Sequence, residues 1–235
     1  MSPLRAALAL VAILSALGGL GWLAFGSEQL RFRTLRVVGN AHASEAHIRH
    51  LADLTTGRPL LTLDLEHAAA SVARHPWVAQ VEARRVFPDT VVLQVRERQV
   101  RALVLLDQLY LVDTEGTPFR KADAADLDHP VITGIPLSLA DSEPALARRI
   151  VHDALGLLDA ASGRAGLREA DISEVRFDAE AGYMLALRNG GEVLLGFQDE
   201  SAFARLDALA SRGVDLTHPL RIDLGSSTTA VVSPL

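Results

Sequence analysis

The sequence predicts an α+β protein: an N-terminal transmembrane helix, a compact βααββ unit, and a second unit that is mainly an antiparallel sheet with one or two helices. Three observations carry this expectation. Residues Ala6 to Phe25, "AALALVAILSALGGLGWLAF", run for 20 positions without a charge. Between Leu30 and Arg98, one alternating stretch, two helical stripes and two more alternating stretches follow one another. From Val100 onward, short apolar stretches are divided by turn sequences, with only two helical patterns among them.

At 1.5 Å rise per residue the uncharged run would span about 30 Å, the thickness of a bilayer's hydrocarbon core. Trp22 suits the interfacial belt at its far end. Ala24 to Gly26 offers the small residues of a signal cleavage site. The run exceeds the roughly 7–15 residues of a signal core, so an uncleaved anchor is expected. Residues 1–5 then form a short cytoplasmic tail, residues 6–26 the membrane helix, and the rest is exported.

The first exported unit is expected over residues 27–99. "LRFRTLRVVGN" alternates and closes on Gly39-Asn40, a strand and its turn. Ser44 caps a helix with Ile48, Leu51 and Ala52 on its apolar face, and Gly57 ends it in the left-handed role. Asp64 caps a second helix striped by Leu65, Ala69 and Val72, which stops at His75-Pro76. Ala79, Val81 and Ala83 then alternate with polar residues, Pro88-Asp89 turns the chain, and Val91, Leu93 and Val95 alternate on the way back. That is a hairpin with one wet face, and two helices suffice to cover the other face of a three-stranded sheet.

The second unit is expected over residues 100–235. "RALVLL" and "LYLVD" are strands, "TEGTPF" is a turn, and "HPVITGIP" is a short buried run. Ser142 to Ala161 reads as one helix with Pro144 in its first turn and Leu146, Ile150, Ala154, Leu157 and Leu158 facing inward. Three strands follow, the last two joined by "NGG", a strong hairpin signal. Phe203, Leu206 and Leu209 mark a second helix, and "LRIDL" and "TTAVV" close the chain as strands.

The net charge is −6, with +2 over residues 27–99 and −9 over residues 100–235, so a polyanion-binding role is not expected. Arginines 84, 85, 96 and 98 lie around the hairpin without interleaved aromatic residues, the pattern of a solvated face rather than of a nucleic-acid reader. Arg31, Arg33, Arg84 and Arg85 form a secondary candidate surface, for anionic lipid headgroups or an acidic partner, alongside plain solubility. The chain has no cysteine, which rules out disulfides and thiolate metal sites.

No nucleophile elbow, zinc-protease helix or phosphate-cradling loop occurs. His47 and His50 are spaced for a helical metal pair but lack a third ligand at fixed spacing. Ser226 to Thr229 have no neighbouring His or Lys, and Asp113 and Glu115 belong to a turn. The expectation is a binding protein that is not an enzyme, without cofactor, metal or small-molecule substrate. Its best candidate site is the last strand, which is uncharged and has nothing after it to cover an edge.

"FRTLRVVGN", "HPWVAQVEARRVFPDTVVLQVRER", "LYLVDTEGTPF", "HPVITGI" and the terminal "RIDLGSSTTAVV", in this order and spacing, resemble the FtsQ/DivIB cell-division family over nearly the whole chain. Phe87 stands where the family usually has Trp, and Gln99 where a Pro often follows; neither disturbs the strand pattern. The resemblance implies a POTRA domain followed by a β domain. It implies a single-pass, non-catalytic scaffold in the bacterial inner membrane at the division septum. Its implied partners are FtsB and FtsL, and through them the septal peptidoglycan synthase FtsW–FtsI. It also puts FtsB docking on the end of the β domain, at Thr228, Thr229, Ala230, Val231 and Val232, with Ile222 and Leu224 on the neighbouring strand. The competing reading is a periplasmic POTRA chaperone of outer-membrane assembly or secretion. No second βααββ unit follows Gln99 to favour it.

Overall fold

A computed structural model describes residues 10–16, 18–19, 28–197, 200–226 and 229–235. Most of the expected anchor lies outside them. Residues 10–16 and 18–19 are helical, and among the described residues no helix is long and apolar enough to cross a membrane. The chain divides into two compact units, one ending at Arg98 and one beginning at Gln99.

In the first unit, β1 (Thr34–Val38), α1 (Glu45–Ala52), α2 (Leu65–Val72), β2 (Val78–Val86) and β3 (Thr90–Glu97) follow in order. The sheet runs β1-β3-β2, with β1 parallel to the central β3 and β2 antiparallel to it. Ile48, Ala52, Leu65, Ala68 and Val72 of the helices pack on Val91, Leu93 and Val95 of β3. Both expected caps are present: Ser44 accepts from the His47 N–H at 3.2 Å, and Asp64 from the His67 N–H at 2.9 Å. Gly39, at φ +88°, closes β1 against β3; a Cβ there would lie 2.2 Å from the Val95 carbonyl oxygen.

Three local expectations are corrected. The left-handed residue ending α1 is Asp53, at φ 46°, and not Gly57, which belongs to the next turn and donates its N–H to the Phe32 carbonyl. Ala79 is exposed because the β2–β3 register shifts between Val78 and Gln80. Two residues there oppose one step of β3, so the pleat turns Val78 inward in its place. Val92, expected in water, is only 6% exposed. Its cross-strand neighbours are Arg36 and Arg84, long side chains of the kind that cover apolar surface with their aliphatic stems.

Glu97 ends β3 and clamps the loop between β1 and α1. Its carboxylate accepts the N–H groups of Ala41, His42 and Ala43 at 2.8–3.0 Å, and His42 Nδ1 lies 2.9 Å away. Burial pushes the carboxyl pKa up, but these hydrogen bonds outweigh it and hold it at about 2, against an ordinary 4.5. The folded value is depressed, so the stabilisation is present above about pH 4.5 and is lost as pH falls toward 2. At about 1.4 kcal/mol per unit this is roughly 3 kcal/mol, without a large screening discount because the side chain is only 8% exposed. Glu97→Gln should lower the stability of the first unit by roughly 1–3 kcal/mol at pH 7 and by a little under half as much at pH 3, where the folded carboxylate is still mostly ionised. Urea unfolding followed by Trp77 fluorescence, Trp77 being stacked on His42, reads this directly. An equal loss at both pH values would count against the clamp.

The second unit carries β4 (Val100–Leu105), β5 (Leu109–Asp113), β6 (Pro118–Lys121), β7 (Val131–Thr133), α3 (Leu137–Ser142), α4 (Pro144–Ala161), β8 (Ile172–Asp178), β9 (Gly182–Leu187), β10 (Glu192–Gly196), α5 (Glu200–Ser211), β11 (Leu220–Asp223) and β12 (Val231–Pro234). They build one nine-stranded sheet in the order β12-β11-β10-β9-β8-β7-β4-β5-β6. Antiparallel pairs are the majority, but β11–β10, β8–β7 and β7–β4 are parallel. The helix expected from Ser142 breaks at Glu143, because the residue before a proline is disfavoured in the α region and Pro144 donates no N–H. Of its expected inward residues, Leu146 is 40% exposed while the other four are buried. "TPF", expected as turn, supplies the start of edge strand β6.

One transverse row explains how this sheet coheres. Val104, Ile132, Val175, Leu185, Val193 and Ile222 stand opposite one another on six consecutive strands, and each is fully buried. Ile150, Ala154 and Leu158 of α4 and Ala202, Phe203 and Leu206 of α5 belong to the same core. Arg101 on β4 pairs with Asp159 of α4 and with Glu169, tying strand to helix at the margin.

Candidate functional site

The row continues one strand further: Ile222 stands opposite Val232 on β12, and there burial stops. Val232 is 39% exposed, Val231 57% and Leu235 61%. Phe203, the helix residue that could have covered this strand, is turned into the core at 5% exposure. Among the described residues β12 pairs on one side only, with β11, and is the terminal strand of the sheet.

The hydrogen-bonding phase of this edge is fixed by two bonds. The Leu235 N–H donates to the Pro219 carbonyl at 3.4 Å, and the Leu224 N–H to the Leu194 carbonyl at 2.8 Å. Along an antiparallel pair, alternate residues turn their backbone groups toward the partner. Leu235, Ser233 and Val231 therefore face β11, while Val232 and Pro234 face outward. Proline at 234 falls within β12, not after it as the sequence suggests, and its missing N–H is on the outer side, where no ladder bond is lost. The free edge offers the Val232 N–H and the Val232 and Pro234 carbonyls.

At about 1 kcal/mol net per hydrogen bond these three groups could supply roughly 3 kcal/mol to an added strand. Micromolar affinity requires about 8 kcal/mol, so apolar contacts must supply the larger part. Val232 is exposed for such contacts on the helix-covered face and Val231 on the other. Ile222 and Leu224, both at 0% exposure, support β12 from beneath and present nothing to a partner. Ala230 is half-buried against the core and Thr229 is exposed. Thr228 lies outside the described residues.

The opposite edge differs. β6 begins with Pro118 and carries Arg120 and Lys121, and Arg120 is paired with Asp123 and Asp126 at 3.2 and 2.5 Å. Proline and charge blunt a strand edge against further pairing. Of the two described edges of this sheet, β12 is the one that combines an apolar sequence with an open side.

The secondary surface resolves into distinct parts. Arg85 is held by the fold, donating to the Leu60 and Leu63 carbonyls at 3.0 and 2.5 Å. Arg31 donates to the Gly57 carbonyl at 2.7 Å and pairs with Glu28. Arg33 reaches the Glu28 carbonyl at 3.2 Å. Arg84 makes no hydrogen bond or ion pair among the described residues and is exposed. Among the described residues no three metal-ligating side chains converge; His47 makes an edge contact with His75 instead.

Residues 30–98 match the POTRA domain, FtsQ-type, and residues 102–225 match the C-terminal domain of the cell division protein FtsQ/DivIB. The chain is 40% identical over 214 residues to a protein of Anaeromyxobacter sp. (strain K) named cell division protein FtsQ, covering 87% of this chain and 72% of the relative. Proteins of the same name from Syntrophotalea carbinolica and Myxococcus fulvus are 33% and 34% identical, covering 80% and 77% of this chain and 68% and 67% of those relatives. A FtsQ-type POTRA unit followed by a FtsQ/DivIB C-terminal unit, with relatives of this identity along both, shows that the chain belongs to the FtsQ/DivIB family of cell-division proteins.

Proposed function

We propose that this chain is a non-catalytic scaffold of the bacterial division machinery, anchored in the inner membrane by residues 6–26, with residues 27–99 and 100–235 exported. Its partners are FtsB and FtsL, which link it to septal peptidoglycan synthesis by FtsW–FtsI. The observation that carries the docking part is the uncharged, open edge of β12 at the end of a buried apolar row. A strand of FtsB adding to that edge would satisfy the outward backbone groups and extend the row beyond Val232. Along the chain, the POTRA unit lies between this surface and the anchor.

A fluorescent fusion to the N-terminus, imaged in dividing cells, tests the reading. A midcell band is expected, lost when Val232 is replaced by proline. Uniform membrane fluorescence with the unaltered chain would contradict a septal role, and recovery of the protein in the soluble fraction would contradict the anchor.

A further inference from the structure

One end of the POTRA unit gathers features that the docking edge does not use. β1 and β3 run parallel, with Thr34 opposite Thr90, so the β2–β3 turn stands at the end where the chain arrives from its N-terminal run. The Arg33 and Thr34 N–H groups both donate to the Asp89 carbonyl in that turn, at 2.9 and 3.3 Å. The Phe32 N–H donates to the Arg58 carbonyl, and Arg85 joins the turn to residues 60–63. Three segments, 28–33, 57–63 and 84–89, therefore meet at this end.

Its surface is both apolar and basic. Phe87 at the tip of the turn is 59% exposed, beside Val86 at 36%, and Leu61 is 39% exposed. Arg31, Arg33, Arg58 and Arg84 belong to the same three segments, with Glu28, which pairs with Arg31, and Asp89. An exposed phenylalanine at a turn contributes nothing to the core behind it. Arg58 and Arg84 make no side-chain hydrogen bond or ion pair among the described residues.

We propose that this end is a bilayer-docking surface, with Phe87 seated among the acyl-chain margins and the arginines on anionic headgroups. The inference rests on the anchored reading above. Only five residues separate Phe25, the last of the uncharged run, from Arg31. Whatever their conformation, at no more than about 3.6 Å per residue they hold this end within roughly 20 Å of the membrane. That confinement selects the bilayer surface over any freely diffusing partner. A bulky aromatic and cations are also the residue types that an anionic interface attracts.

Because the chain has no cysteine, Phe87→Cys gives a single labelling site. The full chain, carrying an environment-sensitive fluorophore there, is reconstituted in phosphatidylcholine vesicles with about 30 mol % phosphatidylglycerol and a nitroxide-labelled lipid. Glu180→Cys, in an exposed turn of the second unit, is the control. The expected result is blue-shifted emission and nitroxide quenching at position 87 but not at 180. Quenching should fall at least twofold with Arg58→Glu plus Arg84→Glu, and likewise in about 0.5 M NaCl. If the chain resists alkaline carbonate extraction yet position 87 emits as in water and escapes the nitroxide, the docking surface is refuted and the anchor stands. Equal quenching in purely zwitterionic vesicles refutes the role of the arginines. Extraction of the chain by carbonate removes the anchor, and this inference falls with it.

Discussion

Leu93→Ala should lower the stability of the POTRA unit by about 3–5 kcal/mol. Leu93 is fully buried at the centre of β3, the strand that pairs on both sides, and it packs beneath both helices. Truncation removes three buried carbons and leaves a hole walled by regular backbone on two sides, where collapse is difficult. Arg96→Ala, three residues on and exposed, should change stability by less than about 0.5 kcal/mol. Urea unfolding followed at Trp77 separates the two. The reverse order would mean that β3 is out of register by one residue, since a single slip exchanges the faces.

Val232→Pro should abolish capture of FtsB by at least tenfold while leaving the fold intact. The outward-facing N–H is the donor that an incoming strand needs, and removing it also sets a pyrrolidine ring in the path of that strand. Val231→Pro is a different experiment. Its N–H faces β11, so the substitution breaks the β11–β12 ladder and should release the strand. Val232→Thr keeps the backbone and shape and should retain most of the binding. Circular dichroism and pull-down of FtsB on the three variants distinguish an edge contact from a general loss of structure. Full capture by a folded Val232→Pro chain would exclude strand addition at this edge.

The two prolines also mark the limit of what the sequence could say. A strand's existence and its inward residues follow from alternation alone. Val91, Leu93 and Val95, and the caps at Ser44 and Asp64, were legible because each depends on neighbours within about four residues. The direction in which a backbone N–H points depends on which strand lies alongside and in what register. Nothing local to "TTAVVSPL" encodes that; the Leu235–Pro219 bond does.

The sequence by itself determined the βααββ order, most inward faces of the strands, the absence of cysteine chemistry and the uncharged final strand. These are properties of residue type and short-range spacing, and the family resemblance rests on the same residues. Tertiary structure decided the rest. It made four strand pairs parallel, inserted the register shift that expels Ala79, and buried Val92 between Arg36 and Arg84 on the neighbouring strands. It buried Ile222 and Leu224 in the core beside the strand they were expected to assist, and it brought Phe87, Leu61 and Arg58 to the end where the chain arrives. The physical reason is common to all of these. Each depends on contacts between residues far apart in sequence, where burial and hydrogen bonding are settled by register and packing rather than by local preference.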